Sequence, residues 1–130
     1  MADPTFEEAV RKSIELDPRF HAAAYDFVRD ALQVAVKRFR GGDDMKHVSG
    51  QELLEGVREH ALKEYGPMAL TILEQWGVTK GLHVGNIVYN LIEVGYFGRS
   101  KGDSLDDFDN GYSFEDAFTE PFLPTSAKRA

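Results

Sequence analysis

A chain of 130 residues with a net charge of −7 and no cysteine is long enough to close one core, and it excludes disulfides, thiolate nucleophiles and cysteine-held zinc or iron–sulfur centres. Its negative charge disfavours non-specific attraction to nucleic acid and to anionic membrane. No apolar run approaches the roughly 20 residues of a membrane span, and residues 1–13 carry too much charge for a signal-peptide core, so a cytoplasmic protein is expected.

Thr5-Phe6-Glu7-Glu8 has the form of a capping box, and Phe6, Ala9, Val10, Ser13 and Ile14 recur at helical spacing, which predicts a first helix over residues 5–16. Asp17-Pro18 should end it, because a residue before proline is pushed out of the helical region. A longer helix is predicted over 18–39, with Phe20, Ala24, Phe27, Ala31, Val34, Ala35 and Phe39 on its apolar face. Gly41-Gly42-Asp43-Asp44 stops it.

The signals are clearest over residues 49–97. Ser49-Gly50-Gln51-Glu52 is a second capping box, opening a helix that Gly66 can close; Pro67 begins another that Gly77 ends after Trp76. A third pattern, over 82–94, places Val84, Ile87, Val88, Leu91 and Ile92 on one face and stops at Gly95. After Gly95 the pattern changes to Tyr96-Phe97-Gly98-Arg99, a glycine- and serine-containing turn, and then Asp106-Asp107-Phe108-Asp109-Asn110-Gly111-Tyr112, which suggests a ragged two-stranded ribbon. Ser113 can cap a last short helix through Phe118.

Three helices leading into a hairpin resemble the winged helix-turn-helix arrangement. The expected fold is therefore mainly α: about five helices with a small β-hairpin and a winged-helix-like C-terminal half. Residues 1–123 form one domain, comprising an N-terminal helical pair (5–39), the winged-helix-like unit (49–112) and a short acidic–aromatic helix (113–123), and residues 124–130 form a tail that should fray. Separately, His47-Val48-Ser49-Gly50-Gln51-Glu52-Leu53-Leu54-Glu55-Gly56, Tyr65-Gly66-Pro67-Met68-Ala69, Gln75-Trp76-Gly77-Val78, Asp106-Asp107-Phe108 and Phe114-Glu115-Asp116-Ala117-Phe118 resemble a family of small uncharacterised bacterial proteins. That resemblance implies a bacterial origin and one compact domain. It carries no catalytic residues to this chain.

Motifs for chemistry are scarce. Gly98-Arg99-Ser100-Lys101-Gly102 matches the string G-x-S-x-G, yet no helix-length pattern follows it and all four histidines (His21, His47, His60, His83) precede the serine, against the order such hydrolases use. If Gly111 took the glycine position of a calcium loop, Phe108 and Ala117 would fall where oxygen ligands are required. Asp106, Asp107 and Asp109 leave another cation site open, although a solvated acidic loop explains them as well. The histidines are separated by 26, 13 and 23 residues, and neither they nor Glu55, Glu59 and His60 have the spacing of a helical metal pair. No phosphate-binding loop is present, and no metal or cofactor is expected.

Binding is what remains. Residues 103–123 hold seven acidic side chains and no basic one, while the rest of the chain balances 15 of each sign. Phe108, Tyr112, Phe114, Phe118 and Phe122 are interleaved with those acids. They form either a docking strip, with aromatic anchors steered by charge, or a lid of rings folded back on the core. Asn86 and Asn90, one turn apart, add a polar helix face that could touch a partner or read adenine. That helix carries no lysine or arginine, and the adjoining hairpin is acidic, which disfavours DNA. The basic cluster Lys37, Arg38, Arg40 and Lys46 offers an RNA or ribosome contact, or simply complements a helix C-terminus. The expectation is a non-enzymatic protein-interaction or adaptor domain, with winged-helix nucleic-acid binding as the alternative and an enzyme with an unrecognised carboxylate or histidine site behind both.

Overall fold

The computed structural model describes residues 4–41, 48–98, 105–109 and 111–124. Among them the secondary structure is entirely helical: α1 (Phe6–Leu16), α2 (Ala22–Arg40), α3 (Gly50–Tyr65), a 3₁₀ turn (Gly66–Met68), α4 (Ala69–Gln75), α5 (Gly81–Glu93), α6 (Asp106–Asp109), α7 (Phe114–Phe118) and a final 3₁₀ turn (Glu120–Phe122). No helix of the described residues is long and apolar enough to cross a membrane.

Capping sets most of the starts. Thr5 Oγ1 accepts the Glu8 N–H, and at Ser49 both halves of the capping box form, the hydroxyl accepting from Glu52 N–H while the Glu52 carboxylate accepts from Ser49 N–H. The second helix begins four residues later than its apolar pattern suggested. Pro18 and Arg19 belong to a turn, and His21, not proline, caps α2.

Helices α2 and α3 form an antiparallel hairpin. Gly56 lets the two backbones approach, since a Cβ there would lie 2.5 Å from the Ala31 carbonyl oxygen. The end where the chain passes from α2 to α3 is tied by Arg40, whose guanidinium donates two hydrogen bonds to the Glu52 carboxylate at 3.0 and 2.7 Å. Phe27, His60, Tyr65 and Trp76 cluster at the other end, with ring centroids 5.2–6.1 Å apart. Around this pair α1, α4 and α5 bury Ala9, Val10, Leu73, Val84, Ile87 and Leu91, so one core runs through the whole domain.

The expected β-hairpin is overturned, and with it the winged-helix half. Asp106–Asp109, placed in the expected ribbon, is one turn of helix, and no strand occurs among the described residues. The physical reason lies under Phe108. Its ring fills a slot where three side chains are missing: Cβ atoms would stand 3.1 Å from the ring at Gly50 and 2.7 Å at Gly85, and 2.6 Å from the Phe108 carbonyl oxygen at Gly81. The glycines of α3 and α5 cradle this one aromatic, and Asp106 and Asp109 turn to solvent. Residues 99–104 and 110, which include most of the glycine- and serine-bearing turn, lie outside the described residues.

Candidate functional site

The C-terminal acidic–aromatic segment folds back onto α3, α4 and α5. Phe108, Phe114 and Phe118 are buried; Phe114 and Phe118 meet edge to face at 5.1 Å, and Tyr112 stands edge-on to Phe118 at 6.0 Å. The Tyr112 hydroxyl donates to the Leu54 carbonyl oxygen, and burial raises the phenol well above its ordinary value. Ser113 caps α7 by accepting the Asp116 N–H at 3.1 Å. Of the five aromatics singled out by sequence, Phe122 alone is exposed, at 45%, and Leu123 beside it is 38% exposed. Asp106, Asp109, Glu115 and Asp116 face solvent. The outer surface of this segment thus carries these acids, with Leu105 exposed at its start and an apolar tip at residues 122–123. Leu123 is a surface residue that the aromatic pattern did not flag.

Asn90 belongs elsewhere. Its amide donates to Asp17 Oδ2 and to the Tyr25 hydroxyl, each at 3.0 Å, joining α5 to the end of α1 and the start of α2. Asp17 also takes a bidentate ion pair from Arg19, with Nε–Oδ1 and Nη2–Oδ2 both at 2.8 Å. Chiefly through the Arg19 hydrogen bonds, and further through Asn90, the Asp17 carboxyl is held well below the usual carboxylate range. Burial raises the Tyr25 phenol. Ser13 Oγ, fully buried on α1, faces that hydroxyl without completing a hydrogen bond of ordinary geometry. Asn86, one turn before Asn90, is half-buried and makes no side-chain hydrogen bond among the described residues.

This polar joint was invisible to motif reasoning, because Asp17-Pro18 announces only a helix end. The one available signal was an aspartate two residues before an arginine, a spacing that allows the fork-to-carboxylate pair seen here. Asp17→Asn keeps the shape and removes the charge. It should cost about 1–2 kcal/mol at neutral pH, a modest figure because Arg19 is half exposed and water screens the pair. The depressed carboxyl contributes stability that is complete above the ordinary carboxylate value and is lost as pH falls below it. Urea midpoints taken between pH 7 and 3 should therefore drop less steeply for the asparagine variant than for the wild type.

No group of three or more histidines, aspartates or glutamates that could hold an ion occurs among the described residues. Of the basic cluster, Lys37 and Arg38 are exposed on the last turn of α2, Arg40 is engaged with Glu52, and Lys46 lies outside the described residues. Set against known protein families, curated proteins and solved structures, the chain matches none.

Proposed function

We propose that this domain is a protein-interaction or adaptor module whose outer C-terminal surface docks on a basic surface of a partner protein. The observation that carries this is the exposed Phe122-Leu123 tip at the end of a segment whose other solvent-facing side chains are mostly acids. Apolar groups on such a tip supply the contact that excludes water, while the surrounding carboxylates steer a cationic partner and select against anionic ones. The rings of Phe108, Phe114 and Phe118 act from behind, as the core that holds this surface in place.

Nucleic acid fits less well. The helix that would read a groove, α5, buries Val84, Ile87 and Leu91, presses Gly81 and Gly85 against Phe108, and spends Asn90 on Asp17 and Tyr25. An affinity pull-down from the native host tests the proposal. The wild type should retain a protein that is released by about 0.5 M salt, where a Debye length of only a few ångströms screens the acids. Phe122→Ala with Leu123→Ala should lose that protein at an unchanged melting temperature. Retention of the partner by the double variant, or recovery of material that nuclease releases, would overturn the assignment.

A further inference from the structure

We infer that His83 is a pH-sensitive latch between two turns, the one joining α1 to α2 and the one joining α4 to α5, and that mild acid opens this joint. The two turns meet closely. The His21 N–H donates to the Trp76 carbonyl oxygen at 3.0 Å, and Phe20, 2% exposed, is wedged between them with the Arg19 guanidinium 4.9 Å from its ring centre and the His83 ring edge-on at 5.5 Å.

His83 holds its side of the joint with a nitrogen lone pair. Nδ1 accepts the Thr79 N–H at 3.1 Å and lies 3.3 Å from the Thr79 hydroxyl, which ties the ring back over the first turn of α5. That bond exists only for the neutral ring carrying its proton on Nε2; a second proton on Nδ1 would point at another N–H. The charged groups that reach the ring are Lys80 from its own turn and Arg19 and Asp17 from the opposite turn. The two cations oppose a third positive charge. Asp17 favours it, but that carboxylate is already shared by Arg19 and Asn90. The positive end of the α5 dipole and the half-burial of the ring act in the same direction as the cations.

Burial first, then Lys80 and Arg19, lower the affinity of the His83 ring for a proton. The folded state therefore binds fewer protons than the unfolded chain in the window just below an imidazole's ordinary value. Stability is complete above that value and falls with pH beneath it, the unfolding constant rising by up to about tenfold per pH unit until the folded ring itself titrates. The effect reaches past the turn. Gly81, two residues before His83, packs against the Phe108 carbonyl, so loosening this end of α5 loosens the seat of α6.

The test uses the full chain between pH 7.5 and 5. Trp76 is the single tryptophan, and its carbonyl lies in the joint, so its fluorescence and the urea midpoint report opening. The wild type should lose stability below about pH 6.5. His83→Asn, which keeps an acceptor and does not titrate, should lose less than half as much. An equal pH dependence in His83→Asn and wild type overturns the latch. Should His83→Asn fail to fold, ring-nitrogen spectra of the wild type decide. The latch requires the Nε2–H tautomer at pH 7.5 and a ring titration that coincides with shifts of the Thr79, Phe20 and His21 amides. A ring protonated on Nδ1 at pH 7.5, or one that titrates without moving those amides, overturns it.

Discussion

Phe118→Ala should destabilise the domain by about 3–5 kcal/mol, whereas Phe122→Ala, four residues on, should change stability by no more than about 0.5 kcal/mol. Phe118 is 1% exposed and meets Phe114 and Tyr112 edge to face, while Phe122 is 45% exposed. The truncation would leave a ring-sized cavity under α7. That helix has five residues, too few to persist without the packing of its apolar face. Urea unfolding followed by circular dichroism separates the two outcomes, and melting should fall by on the order of 10 °C for the first variant and hardly at all for the second. An unmoved midpoint for Phe118→Ala would mean that the segment is not core, and the choice between lid and docking strip would swing to the strip for all five aromatics.

The sequence carried the helices wherever local chemistry decides them. The Thr5 cap, the capping box at Ser49, the stops at Gly41, Gly77 and Gly95, and the Ser113 cap involve atoms within five residues of one another, so their signals are written contiguously. The last third was misread because its structure is decided at a distance. Asp106 to Asp109 falls in the expected ribbon, yet Phe108 obeys a slot built by glycines on α3 and α5, and nothing near residue 108 announces that those three positions converge. Glycine inside a helix pattern, which lowers confidence in a helix when read locally, was here the mark of the docking point.

The candidate site divides in the same way. The acid content of residues 103–123 is a local fact and survives as an acidic outer surface, while which rings face outward depends on packing that alternation alone does not specify. Asn90 shows the reverse error. A helix-surface asparagine flanked by apolar residues invites a binding role, but its amide is consumed by Asp17 and Tyr25, 73 and 65 residues away in the chain.

Gly77→Ala should be the most damaging single methyl group that can be added at a turn, at about 3 kcal/mol or more, and the comparison with Gly41→Ala isolates the reason. Both glycines close helices in the left-handed region, with φ of +88° at Gly77 and +65° at Gly41, so both variants carry a strain of roughly 1–2 kcal/mol. Around Gly41 nothing lies within 4 Å of the added Cβ, whereas at Gly77 it would stand 2.2 Å from the Arg19 carbonyl oxygen. Relief requires the two turns to separate, which strains the His21 N–H bond to the Trp76 carbonyl and withdraws Phe20 from its buried place against His83. Denaturant midpoints should therefore differ between the two variants by at least about 1–2 kcal/mol, the usual cost of forcing a group into a packed contact. Equal losses would mean that the turns do not touch, and the polar joint described around Asp17 and His83 would go with them.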